Sequence, residues 1–249
     1  MSFLIGLIAG SVGGLVGIGG GILMIPLMVS MKGIDQHKAH GTSLVAVAFT
    51  GIVGAITYAS FNALDAWAAI LVSAAALWPA RLGAKYCCEV PELKLKRNFG
   101  LFLIFVSFFI LVKPYLPSFS HSHMSLSEIL ILLMTGAATG FVSGIMGVGG
   151  SPIMIVGMVL LAGFDQYTAQ GSSLLAMVPM AAVGAFTHWR LGNVEQNLLK
   201  GVIPGIILGT YAGGSCAHFL PENILRVIFA AVLIWTGSSY VKSPVPTCD

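Results

Sequence analysis

Gly17-Ile18-Gly19-Gly20-Gly21 interrupts an apolar segment running over 3–31, and Gly147-Val148-Gly149-Gly150-Ser151-Pro152 interrupts a second one over 127–162. At ~1.5 Å per residue the second would make a helix about 54 Å long, nearly twice a ~30 Å hydrocarbon core. The first is overlong as well. Folding each segment at its glycines into a helix-break-helix hairpin removes the excess, because consecutive glycines undermine a helix without adding to a packing face. These two stretches therefore decide the fold.

They are also copies of one another. Residues 10–57 return without a gap as 140–187, and nearly half of the aligned pairs are identical. Gly10, Gly14, Gly17, Gly19 and Gly20 fall on Gly140, Gly144, Gly147, Gly149 and Gly150, while Asp35-Gln36 and Gly41-x-Ser43-Leu44 fall on Asp165-Gln166 and Gly171-x-Ser173-Leu174. In membrane carriers such a duplication brackets a central substrate site.

Composition sets the solvent. The chain is 57% hydrophobic and only 8% charged, its mean hydropathy is +0.93, and further apolar segments lie at 41–60, 66–86, 99–117, 171–189, 198–218 and 223–241. The expected fold is an all-α polytopic membrane protein of two inverted repeats, each a glycine-broken hairpin followed by three transmembrane helices. The first repeat covers 1–117, an external linker 118–126, the second repeat 127–242 and a C-terminal tail 243–249. The start, with no basic region before its apolar residues, reads as part of the first repeat and not as a removable leader.

Charge placement supports the hairpins. If each enters and leaves on one side, Lys32, Lys38, Arg81, Lys85, Lys94, Lys96, Arg97, Arg190, Lys200 and Lys242 share a side, leaving Lys113 and Arg226 for the other. The positive-inside tendency makes the first side cytoplasmic, with both termini there. Single crossings by the long segments would instead make the halves parallel and blur this separation. The acidic residues can all be placed in loops or at span ends, so no carboxylate needs to lie at the midplane.

A glycine break at membrane depth offers free backbone N–H groups, a helix dipole and close approach, which together suit an anion, and it has to be covered by protein or line a cavity. Gly17, Gly19, Gly20, Gly21, Gly147, Gly149, Gly150 and Ser151 are the candidate binding residues, approaching one site from opposite sides. Thr42, Ser43, Ser172 and Ser173 follow Gly41 and Gly171, where a hydroxyl either caps a new helix or donates to an anion. Asp35, Gln36, Asp165 and Gln166 are candidate gate residues, and His40 and His188 candidates for gating or proton coupling. Gly6, Gly10, Gly14, Gly136, Gly140 and Gly144 form small-xxx-small ladders that read as helix packing. Arg81 and Arg190 read as headgroup anchors.

The paired stretches resemble the TauE/SafE sulfite exporter family, also called the toluene sulfonate uptake permease family. The resemblance rests on Gly17-Ile18-Gly19-Gly20-Gly21 with Pro26-Leu27, on Gly147-Val148-Gly149-Gly150-Ser151-Pro152, and on His40-Gly41-Thr42-Ser43 with Gln170-Gly171-Ser172-Ser173. It implies a bacterial-type inner-membrane carrier for sulfite, thiosulfate or organosulfonates. Export is the expected direction, and a proton on a histidine or Na⁺ on carbonyls at the breaks is the candidate coupling ion. The second copy departs from the pattern where Ser151-Pro152 stands for Gly21-Ile22 and Val156 for Pro26, so the two half-sites are chemically unequal.

Other classes fare worse. Neither glycine cluster is followed by Gly-Lys-Ser/Thr, so neither is a nucleotide loop, and neither a nucleic-acid partner nor a cofactor is expected. His121-Ser122-His123 has no carboxylate or cysteine beside it, and Cys87-Cys88, Cys216 and Cys248 are too scattered for a metal site or a disulfide framework. No span carries a nucleophile with a nearby acid and base, so an enzyme is not expected. An anion channel, or a membrane-embedded assembly factor or enzyme without transport activity, remains as the alternative.

Overall fold

The structure, a computed structural model, describes residues 1–87, 92–112, 126–146 and 150–242. Gly147 and Gly149, most of the expected linker 118–126, the tail 243–249, His121, His123, Cys88 and Cys248, and the side chains of Gln36, Arg81 and Cys87 lie outside the described residues. What is described is helical, without strands. The helices are α1 (Ser2–Val16), α2 (Gly21–Lys32), α3 (Gln36–Ser60), α4 (Ala66–Cys87), α5 (Glu92–Val112), α6 (Leu126–Met146), α7 (Ser151–Val156, continued by a π-helical turn Gly157–Leu161), α8 (Gln166–Arg190), α9 (Gln196–Phe219) and α10 (Glu222–Lys242). Among them Lys38–Ser60, Leu126–Ser143 and Gln166–Arg190 are long and apolar enough to cross a membrane.

Both long apolar segments break where their glycines stand: α1 gives way to α2 across residues 17–20, and α6 stops at Met146 with α7 starting at Ser151. The sequence repeat fades after Thr57, yet the structural repeat continues. α3 and α8 match at both ends under the same offset, and so do α5 and α10. Helix starts differ from the sequence reading in one respect that matters below. α3 and α8 begin at Gln36 and Gln166, five residues before the expected 41 and 171, because Asp165 caps α8 by accepting the Thr168 N–H at 3.0 Å and so draws the polar turn into the helix.

Packing follows the duplication. α1 lies along α9 in parallel: Gly6 faces Val202, Gly10 faces Ile206 and Gly14 faces Thr210. In the other half, α6 lies along α4 the same way, with Gly136 on Val72 and Gly140 on Ala76. A Cβ at Gly10 would stand 2.8 Å from the Ile206 carbonyl oxygen and one at Gly14 2.5 Å from that of Thr210, so these ladders are close-packing devices, as expected. α9 contributes an unanticipated ladder of its own, Gly201, Gly205, Gly209 and Gly213, against Ser2, Phe3, Leu7 and Ser11 of α1. Glycines on both helices bring the two backbones together.

The equivalent helices α3 and α8 run antiparallel. Gly41 at the start of α3 lies against His188 and Asn193, and Gly171 at the start of α8 lies against Tyr58 and Ala63. Two ends of the bundle follow. One holds Ser2 beside Gly201 and Lys38 3.9 Å from Glu195. The opposite end holds Asp65, whose N–H donates to Ser172 at 2.9 Å, and Gln166, whose N–H donates to Glu222 at 2.9 Å. α1 and α2 both have their outer ends at the N-terminal end, and α6 and α7 theirs at the opposite one.

Candidate substrate site

The two hairpin tips meet in the interior. Val16 and Ile18 of the first share one buried cluster with Met154, Ile155 and Met158 of the second, and Ser151 Oγ donates to the Ile18 carbonyl at 3.1 Å while lying 3.4 Å from Met177 Sδ. Gly17 ends α1 in the left-handed conformation, φ 76°, with its N–H on the Gly13 carbonyl. A side chain there would be strained and would also strike Gln170, whose Cβ lies 2.8 Å from the place a Cβ would take. Gly20, left-handed at φ 71°, begins α2, and a Cβ on it would lie 2.5 Å from the Ala9 carbonyl oxygen. Its glycine thus lets one leg of the hairpin cross the other. Gly150 performs the same crossing against Thr139, at an ordinary φ of −89°. Gly19 packs on Met177 and Gly21 on Val47.

The half-sites differ in donors. Leu23 and Met24 of α2 both donate back to the Gly20 carbonyl, and Ile153 and Met154 of α7 to that of Gly150. This leaves the N–H groups of Gly21 and Ile22 at the head of α2, whereas Pro152 has none to offer and the second half keeps Ser151 alone. A cavity is expected beside the breaks, and at the first of them the described residues pack closely. Gly17 to Gly21 are buried, and the hollow touching Gly13, Ile18 and Gly20 is lined by the apolar side chains of Val12, Ile22, Leu23 and Val232. The first tip is thus covered by protein, the other condition under which non-helical backbone is tolerated at this depth.

The candidate hydroxyls have other work than capping. Sitting inside α3 and α8, each of Thr42, Ser43 and Ser173 donates to a carbonyl three or four residues back: Thr42 to Lys38 at 2.6 Å, Ser43 to His40 at 2.8 Å, and Ser173 to Gln170 at 2.8 Å. Thr42 and Ser172 also accept the N–H groups of Glu195, at 3.0 Å, and Asp65, at 2.9 Å, and so tie each helix start to the loop before α9 or α4. Only Ser173 and Ser151 reach a break, with Ser173 Oγ 3.2 Å from the Gly17 carbonyl.

Two residues absent from the candidate set stand in that contact. Tyr58, fully buried, places its hydroxyl 3.0 Å from the Gly14 carbonyl and 2.8 Å from Gln170 Oε1. The signal available in the sequence was a polar stripe, Gln166, Gln170 and Ser173, at i, i+4 and i+7 of an otherwise apolar span. Under the repeat offset Tyr58 and Gln170 correspond to His188 and His40, both of which are engaged by neighbours, as is Asp35. Gln166 is fully buried, and Asp165 is exposed at the cap. Asp35 and His40, with His188, thus lie at one end of the bundle, and Asp165 and Gln166 at the other.

Comparison with known proteins gives the family. The sequence model of the sulfite exporter TauE/SafE family matches residues 2–240. The chain is 24% identical to the probable membrane transporter protein YunE of Bacillus subtilis over 97% of this chain and 98% of that one. It is 26% identical to YdhB of the same bacterium, named likewise, over 90% and 91%, and 28% identical to the probable membrane transporter protein MJ0441 of Methanocaldococcus jannaschii over 77% and 72%. No solved structure matches significantly. The chain belongs to the TauE/SafE sulfite exporter family and is a multi-pass membrane transporter.

Proposed function

We propose that this transporter is a secondary carrier exporting small sulfur-containing anions, such as sulfite, thiosulfate or organosulfonates, by alternating access across a bacterial-type inner membrane. Its two halves, 1–117 and 127–242, act as inverted repeats joined by an external linker at 118–126 and followed by a cytoplasmic tail at 243–249. The observation that carries the reading is the bond from Ser151 in one hairpin tip to the Ile18 carbonyl in the other. It supports a single central site reached from opposite ends, and the antiparallel pairing of the equivalent helices α3 and α8 supports the inversion.

In this reading Gly17, Gly19, Gly20 and Gly21 of the first hairpin and Gly147, Gly149, Gly150 and Ser151 of the second bind the anion. The Gly21 and Ile22 N–H groups at the head of α2 receive it, with Ser151 and Ser173 as hydroxyl donors. Thr42, Ser43 and Ser172 act by holding the helix starts in place. Covered tips correspond to an occluded state, and transport needs one end at a time to open along the α3–α8 contact. Asp35, Gln36 and His40, with His188, gate the N-terminal end, and Asp165 and Gln166 gate the opposite one. The lysines and arginines at the N-terminal end favour its placement in the cytoplasm. A proton carried through His40 and His188, or Na⁺ on break carbonyls, serves as the coupling ion.

Proteoliposomes test the proposal. Saturable sulfite efflux, with counterflow when unlabelled sulfite is placed on the far side, is the expected outcome. Flux that rises with concentration without saturating would replace the carrier by a channel, and no flux of any sulfur anion would overturn the substrate class.

A further inference from the structure

The side of α8 that meets the first hairpin tip is polar where a buried membrane helix is ordinarily apolar. Gln166, Gln170 and Ser173 share that side. Gln170 lies against Gly17 and Ser173 against the Gly17 carbonyl, so the stripe leads from the end of the bundle opposite the N-terminus down to the break. Both glutamines have no exposed surface. Gln170 Oε1 is taken by the Tyr58 hydroxyl at 2.8 Å, which turns its Nε2 away, and that Nε2 has no partner, nor do Nε2 and Oε1 of Gln166.

A buried amide without a partner leaves a desolvation cost uncompensated, so a leucine at either place would serve folding as well or better. The amides therefore point to something that visits them. Charge narrows what it is. The polar side chains buried among the described residues are hydroxyls and amides, with no lysine, arginine, aspartate or glutamate. At the entrance Arg226 is paired with Glu222 through one terminal nitrogen, and although its buried Nε has no partner the pair as a whole is neutral.

We propose that Gln166 and Gln170 form a charge-neutral oxyanion subsite on the path between that end of the bundle and the glycine break, selective for monoanions. This rests on the anion-carrier reading above. Neutral N–H donors can replace part of the water around a singly charged oxyanion, but the cost of dehydrating an ion grows with the square of its charge and no cation in the lane offsets it for a dianion. Hydrogen sulfite and alkyl sulfonates pass, whereas the dianions sulfate and thiosulfate are rejected, which narrows the substrates of the carrier reading to monoanions. Weak neutral contacts also suit a transit site, which has to release what it takes.

The test follows the melting temperature of the purified full-length protein in detergent as methanesulfonate, hydrogen sulfite in mildly acidic buffer, or sulfate is added. The wild type is stabilised by the two monoanions at concentrations where sulfate has no effect. Gln166→Leu melts no lower than the wild type, yet needs about tenfold more methanesulfonate for the same rise, the loss expected for one hydrogen bond to a charged group. Gln166→Met, which keeps the chain length without the amide, gives the same result and decides the matter if the leucine variant is recovered unfolded. Variants that melt below the wild type and keep its anion response would make the glutamines structural and overturn the subsite, leaving the carrier intact. Preference of the wild type for sulfate would overturn the neutral-donor argument. A wild type that no anion stabilises and that moves no sulfite in liposomes would remove the anion-carrier reading itself, and the subsite with it.

Discussion

Among the described residues Ser151 joins the two hairpins by a side-chain hydrogen bond, and its replacement separates a bond from a shape. Ser151→Ala keeps the Cβ, which already has its place, and removes the donor to the Ile18 carbonyl. About 1 kcal/mol of stability should go with it, together with a reduced maximal sulfite flux, read by denaturant unfolding in detergent and by liposome efflux. Thr42 and Ser172 predict the opposite pattern. Thr42→Val leaves the Glu195 N–H without its acceptor and should lower stability by about 1–3 kcal/mol, while the anion affinity of the folded protein, measured by thermal shift, stays as in the wild type. The sequence pointed to these hydroxyls together because all four follow a repeated glycine. It could not separate them, since whether a helical serine ends on its own carbonyl, a neighbouring loop or a hairpin tip depends on which helix lies opposite.

At the scale of elements, the α1–α9 and α6–α4 pairs depend on missing side chains along whole faces. Gly10→Val in α1 should cost upwards of 3 kcal/mol, because the intruding atoms meet Ile206 backbone that cannot turn aside. Gly33→Ala is the control. Gly33 is left-handed at φ 62° with nothing within 4 Å of a Cβ, so only backbone strain of about 1 kcal/mol is expected. Melting curves of the two variants should differ accordingly, and equal losses would refute the packing account. The α1 and α6 ladders were legible because glycine at every fourth residue has a helical period. That α9 answers α1 with Gly201, Gly205, Gly209 and Gly213 was equally visible as spacing, but only contact shows which ladders face each other. The early start of α8 went unread because Asp165 lies outside the apolar run and its capping bond carries no hydropathy signal.

For the whole molecule, the antiparallel pairing of α3 and α8 makes a topological prediction. In a variant lacking the four native cysteines, Asn62→Cys should react with a membrane-impermeant maleimide from outside, and Leu191→Cys only in inverted vesicles. Both residues are exposed in loops, and labelling of both from one side would end the inverted-repeat reading. Gly20→Val and Gly150→Val, which the glycine pattern suggests as tests of anion binding, are less informative than they look. Each would force hairpin legs apart at Ala9 or Thr139, so lost transport would report packing as much as chemistry.

The sequence by itself determined the membrane solvent, the duplication, both hairpin breaks and the family. Each of these is written in local properties: hydropathy over a span, a fixed offset, and glycines that cannot sustain a helix in lipid. Only the tertiary structure decided that the tips touch through Ser151 and Ile18, that the glycines at 20 and 150 serve helix crossing, and that Tyr58 and Gln170 belong beside the break. The first and last depend on residues more than a hundred positions apart meeting in the bundle, the crossings on two legs of one hairpin closing on each other, and the physical content of a buried hydroxyl or amide lies in the partner it finds or lacks there.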